Sequence, residues 1–170
     1  MPIRPELLKQ LLKVPIFSGL TSTEATEFFE VALELTEPKG KVLFREGEPG
    51  DALVVILEGE LSVSRKGVEL ARLSAGSVAG EMSLFDETAP RSATATVVSE
   101  ARLLKVPLRR VQRLLKTDNV AALKVVANLA LVMSKRLTAI NEKLVAAVEQ
   151  RGQKTAELAD FSQILTRWDF

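Results

Sequence analysis

The stretch of the chain with the most chemistry in it runs from Gly80 to Ala95, GEMSLFDETAPRSATA. Its residue types are suited to holding an anion. A glycine opens a short helix, Glu81 stands in the first turn, and Met82 and Leu84 are placed to anchor that turn apolarly. Backbone N–H groups at a helix start have no intrahelical acceptor and favour a negative group such as phosphate. Arg91 follows a loop and, after Pro90, opens the next strand. Its planar fork of donors suits two oxygens of one phosphate, and Ser92 adds a hydroxyl beside it. Glu81 needs a different partner, because two anions repel. A carboxylate accepts hydrogen bonds, and a ribose 2′-hydroxyl is a suitable donor. A phosphate cradle with a sugar-hydroxyl acceptor is what a ribonucleotide phosphate requires.

The elements that must position these residues fall into three zones. Residues 1–30 show helical spacing, with Leu7, Leu8, Leu11 and Leu12 on one stripe, a break at Pro15, and Thr21 facing Glu24 in capping-box spacing. Residues 31–118 are rich in short strands. The candidates are Ala32–Thr36, Lys41–Phe44, Ala52–Glu58, Glu60–Arg65, Val68–Leu73, Ala93–Val98 and Ala101–Val106, separated by glycine-containing turns. Such spacing without long intervening helices predicts an antiparallel sandwich or barrel. A short helix over Leu108–Leu115 follows. Asp118 or Asn119 then caps a long helix over 119–150.

That helix carries two apolar stripes. Leu123, Val126, Ala130, Met133, Leu137, Ile140, Leu144 and Ala147 alternate steps of three and four, a heptad seam. Ala122, Val125, Leu129 and Val132 lie on another face. One stripe is expected to cover the β-structure and the other to meet a second copy; a single wide apolar face on one core is the simpler alternative. Residues 151–170 end with Leu158, Phe161, Leu165 and Trp168 at roughly helical spacing and form a separate tail, expected to be helical.

Composition narrows the functions. The 170 residues include no Cys, His or Tyr, so thiolate nucleophiles, thiolate or imidazole metal sites and the commonest general base are missing. The expectation is a protein that is not an enzyme and holds no metal. Net charge is +1, from 23 basic and 22 acidic residues, which predicts no strong non-specific attraction to nucleic acid or to an anionic membrane. No stretch reads as a membrane span or a secretory signal, and a cytoplasmic location is expected.

Gly80-Glu81-Met82-Ser83-Leu84 followed by Pro90-Arg91-Ser92-Ala93 resembles the phosphate-binding cassette of the cyclic-nucleotide-binding domain family, shared by catabolite-activator-like regulators and the regulatory subunits of cAMP-dependent kinase. The glycines at 40, 47, 59, 67 and 76 also fall where that family's β-roll turns. The resemblance implies an α+β fold, an antiparallel β-roll (a jelly roll) flanked by N-terminal helices and a long C-terminal helix. It implies Arg91 on the cyclic phosphate, Glu81 on the ribose 2′-hydroxyl, Gly80 and Met82 in the cassette backbone, and Ser92 at the phosphate or base. It also implies Leu70 and Leu73 on the apolar side of the base and Asn141 as a polar contact from the long helix. Ser92 matches the bacterial cAMP regulators, so cAMP is favoured over cGMP. Ala79 departs from the family's larger residue before the Gly-Glu pair.

The implied output is closure of the C-terminal helix over the ligand, with a homodimer through 119–150 and an unidentified protein effector as partners. Only 20 residues follow Gln150, with no recognition helix or basic cluster, so direct DNA binding is not expected. Two blander readings stand beside this one. Glu81 and Arg91 form a surface ion pair, or the chain is a ligand-free β-roll scaffold that binds a protein partner.

Overall fold

The long strands of this chain bend around a glycine where the sequence suggests a break. The computed structural model describes residues 4–30, 32–84 and 90–150. Six strands form one antiparallel sheet: β1 (Leu33–Glu37), β2 (Val42–Phe44), β3 (Ala52–Arg65), β4 (Val68–Ser74), β5 (Val78–Ala79) and β6 (Thr94–Pro107). Their order is β1-β6-β3-β4, with β2 also on β6 and β5 also on β3. β3 and β6 pair from Ala52↔Pro107 to Ser64↔Thr94, with register shifts between Ile56 and Leu61. Gly59 sits at that shift with φ +85, and a Cβ there would strike the Glu100 carbonyl and come within 2.7 Å of Ala101 Cα. Only glycine allows both the left-handed backbone and the close crossing. The expected pairs Ala52–Glu58 with Glu60–Arg65, and Ala93–Val98 with Ala101–Val106, are therefore two continuous bulged strands of 14 residues each.

Period-two alternation along β3 divides the core into two layers. Val54 and Ile56 join Leu61, Ala79, Val97, Ala101 and Leu103 inside the roll, with Leu43, Phe44 and Leu73 packed at its margin. Ala79, the small residue before Gly80, belongs to this cluster. Leu53, Val55 and Leu57 face the other way and are also buried, which is why the run from Ala52 to Leu57 reads as continuously apolar. Helices cover this second face. α1 (Pro5–Leu11) approaches through Gln10, whose amide donates to the Leu57 carbonyl at 2.8 Å. A 3₁₀ turn (Pro15–Phe17) and α2 (Ser22–Phe29) bring together Phe17, Phe28 and Phe29, with ring centroids 4.6–6.0 Å apart. Edge-to-face rings at this spacing add to the burial of large apolar area.

The expected capping box is present: Glu24 N–H donates to Thr21 Oγ1 at 3.2 Å and Thr21 N–H to Glu24 Oε2 at 2.8 Å. α3 (Leu108–Lys116) follows β6, and α4 (Val120–Gln150) follows a turn with Asp118 at φ +52. Asn119 rather than Asp118 is the cap, its Oδ1 accepting from Ala122 N–H at 3.1 Å.

The chain divides into two units, residues 1–129 and 130–170. Within the first, Ala121, Ala122, Val125 and Leu129 of α4 are buried. Lys124 donates to Glu24 at 2.9 Å and to the Gly19 carbonyl at 3.0 Å, and Asn128 donates to the Ser18 carbonyl at 2.8 Å. The stripe of Ala122, Val125 and Leu129 is thus the one that packs, while Leu123 on the heptad seam is half exposed. In the second unit Leu137, Ile140 and Leu144 of that seam are exposed in the single chain. The tail expected over 151–170 lies outside the described residues.

Candidate functional site

The backbone of Arg91 is pinned before its side chain does anything. Gly47 N–H donates to the Arg91 carbonyl at 2.9 Å, and Arg91 N–H donates to the Glu48 carbonyl at 2.8 Å. Pro49 and Pro90 bridge the same two segments. The loop before β3 therefore fixes where β6 is entered, and it turns the guanidinium inward.

Arg91 is only 5% exposed. Its Nη1 donates to the Gly80 carbonyl at 3.0 Å and its Nη2 to the Ala52 carbonyl at 2.7 Å, with Asp51 Oδ1 at 3.3 Å. The guanidinium carbon stands 4.3 Å from the centroid of the Phe44 ring, a cation–π contact. Arg91 Nε is buried and has no hydrogen-bond partner among the described residues. The other such nitrogen, Arg110 Nε, belongs to a guanidinium that meets the Glu27 carbonyl of α2 and the Glu30 carboxylate just after it. Burial pulls the Arg91 pKa below the usual arginine value, and the Asp51 carboxylate opposes that pull. Lys105 Nζ, 2.8 Å from Asp51 Oδ2, is the main reason Asp51 stays below the usual carboxylate range.

Glycines admit the guanidinium. Gly80 has φ +80, and a Cβ there would strike Arg91 Nη1 and lie 2.9 Å from the Ala52 carbonyl oxygen. After Gly80 the chain makes a single 3₁₀ turn, Glu81–Leu84. Glu81, Ser83 and Leu84 are buried, with Glu81 at 8% exposure. Ser83 packs directly on Gly50, where a Cβ would collide with the serine Oγ and Cβ.

A cavity of about 130 Å³ borders Arg91, Phe44, Asp51, Ala52 and Lys105. That cavity is lined by Arg91 and not by Glu81. The two are buried residues of opposite charge, close enough for the Glu81 carboxylate to act on the guanidinium, and Arg91 keeps a donor unused among the described residues. That arrangement can take up an anion that also carries a hydrogen-bond donor for Glu81. Among the described residues no group of three or more Asp or Glu could hold a metal ion, and no helix is long and apolar enough to cross a membrane.

Comparison with known proteins bears on this arrangement. The family model described as "Cyclic nucleotide-binding domain" matches residues 35–118, which contain Arg91 and every residue described as touching it. The chain belongs to that family. The chain is 35% identical over 135 residues to the "Cyclic AMP receptor protein" of Thermus thermophilus, covering 72% of this chain and 57% of that one. It is 31% identical over 136 residues to "Glutaminase 1" of Bradyrhizobium diazoefficiens, covering 79% of this chain and 22% of that one. Among solved structures, the N-terminal domain of a transcriptional regulator from Streptomyces coelicolor A3(2) superposes with a TM-score of 0.64 at 31% identity, covering 77% of this chain and 94% of that one. The chain spans 22% and 57% of the length of these two curated relatives.

Of the residues singled out in the sequence, the domain brings Gly80, Glu81 and Arg91 together. Ser92 is adjacent and exposed. Met82 is half exposed, so it does not anchor the turn in the core as expected; Leu84 does. In a 3₁₀ turn residues three apart eclipse, so Glu81 and Leu84 share the inner face and Met82 turns out. Leu70 on β4 is 59% exposed, and Leu73 packs partly against the core cluster. Asn141 lies in the separate unit that begins at Ala130. Arg91 forms its ion pair with Asp51, a residue not singled out in the sequence. Its partners Ala52, Phe44 and Gly50 were also missed. They lie some 40 positions from Arg91, too far for any local spacing to announce them.

Proposed function

We propose that this domain binds a cyclic mononucleotide, cAMP in preference to cGMP, and that occupancy is reported through rearrangement of the 119–150 helix. Arg91 pairs with the cyclic phosphate and Glu81 accepts the ribose 2′-hydroxyl. Gly80 and Met82 supply the cassette backbone beside the sugar. Ser92 meets the phosphate or base, Leu70 and Leu73 flank the base, and Asn141 reaches it from the long helix. The half-exposed Met82 and Leu70 fit this reading, because apolar surface left open in the free chain is what a base would cover.

The observation that carries the proposal is the Arg91 guanidinium. A buried charge is costly unless it is paired and its donors are used. Here the carboxylate contact is a long 3.3 Å, from a residue whose side chain is 69% exposed, and Nε has no acceptor among the described residues. A phosphate would supply both the charge and the acceptor. The binding energy reaches the helix only as a difference in affinity between its two arrangements. The exposed seam of Leu137, Ile140 and Leu144 supports a homodimer through that helix, with a protein effector receiving the signal in the cytoplasm and no direct contact with DNA. With no His or Cys in the chain, the nucleotide is held and released intact.

Isothermal titration with cAMP tests the assignment. Arg91→Ala should cost at least ~2–3 kcal/mol, about 30- to 150-fold in Kd, by removing a charge-assisted bidentate contact. Undiminished affinity refutes it. A thermal-shift screen against cAMP, cGMP and cyclic dinucleotides separates a sensor from a ligand-free scaffold, since a ligand that binds the folded state raises the melting temperature by mass action.

A further inference from the structure

Asp51 is shared between two cations of unequal claim. Its Oδ2 meets Lys105 Nζ at 2.8 Å, while its Oδ1 is 3.3 Å from Arg91 Nη2. The backbone of Asp51 is fixed, its carbonyl accepting from Leu108 N–H at 3.0 Å, so the carboxylate has only its own torsions with which to choose. Lys105 is held in the sheet between Leu33 of β1 and Val54 of β3, and its side chain borders the same cavity as Arg91 and Asp51.

We propose that Lys105 is a positioning residue for nucleotide binding: it holds Asp51 off Arg91, so that the guanidinium is left for the ligand phosphate. This rests on the nucleotide reading above. A carboxylate free to turn both oxygens on a guanidinium forms a bidentate pair and competes with phosphate for the same donors. Tied to Lys105 through its shorter contact, Asp51 gives Arg91 only one long contact. Lys105 also offsets the repulsion between Asp51 and the incoming phosphate. Removing the ammonium restores both penalties; removing the carboxylate as well abolishes them.

The test is isothermal titration of cAMP into the full chain and its Lys105→Met, Lys105→Arg, Asp51→Asn and Lys105→Met/Asp51→Asn variants. Ligand-free melting temperatures establish that each is folded. Lys105→Met should weaken binding about two- to fivefold, the scale of a partly exposed charge interaction, and Lys105→Arg should restore it. In the Asp51→Asn background, Lys105→Met should change the affinity little, the non-additivity that marks action through a shared partner. Unchanged affinity in Lys105→Met, or the same loss with Asp51 replaced, overturns the proposal while leaving the nucleotide reading intact. Wild-type chain that binds neither cAMP nor cGMP overturns the nucleotide reading, and this proposal with it.

Discussion

Gly50→Ala is the most exacting test of how this site is built. Gly50 does not adopt a positive φ, so alanine there meets no backbone objection, and the whole effect is steric. The added Cβ would overlap Ser83 Oγ and Cβ and lie 3.6 Å from Arg91 Cζ. Ser83 is 3% exposed and has nowhere to retreat within its turn. It can withdraw only by carrying the Glu81–Leu84 turn with it. Overpacking of one carbon into a filled site costs about 1–3 kcal/mol, which for a chain of this size lowers the melting temperature by roughly 2–12 °C. Nucleotide affinity should fall with it, because Glu81 moves when Ser83 does. Deleting the colliding atoms should repair the damage: Gly50→Ala/Ser83→Gly should recover most of the loss, short of the about 0.5–1 kcal/mol that a new glycine costs. Calorimetric melting and cAMP titration on the four chains of this cycle read both effects. A Gly50→Ala protein that melts and binds like wild type, or a double variant no better than the single one, refutes the packing argument.

Two further perturbations probe other parts of the fold. Phe17 is fully buried between Phe28 and Phe29, so Phe17→Ala should cost about 3–5 kcal/mol in urea unfolding; a loss under 1 kcal/mol would mean the helical layer is not part of the cooperative core. Glu34 has a depressed pKa, chiefly through the hydrogen bond from Arg102 at 2.7 Å and then through Arg4. A carboxylate whose folded pKa lies below its unfolded value of about 4.3 stabilises the fold above that value and loses the contribution as pH falls through the folded pKa. Denaturant midpoints should therefore drop below about pH 4, and Glu34→Gln should make the drop shallower; an unchanged acid limb would exclude Glu34 from it.

Much of this was legible in the chain. Thr21 and Glu24 announced a capping box because its geometry depends on four consecutive residues. The Gly80-Glu81 pair and the Arg91-Ser92-Ala93 run stood out as one cluster because their chemistry is unusual for a surface loop, and the fold does bring Arg91 onto the Gly80 carbonyl. What was hidden depended on distance or on short elements. β5 has only two residues, Val78 and Ala79, too few for any alternation to show. Gly59 looked like a turn between strands because a bulge glycine and a turn glycine share the same backbone need. Met82 was misplaced because helical spacing was assumed for a turn that is 3₁₀. Asp51 and Lys105 are 54 positions apart, and only the β3–β6 pairing brings them face to face.

The Glu24 carboxylate does two jobs at once. It closes the start of α2, and it clasps Lys124 about one turn into α4. With Asn128 fastened to the 16–18 carbonyls, the opening turns of α4 travel with the N-terminal helices as one lever arm. A pull on either is transmitted to the other. A change that silences Glu24 would free two joints of the machine together.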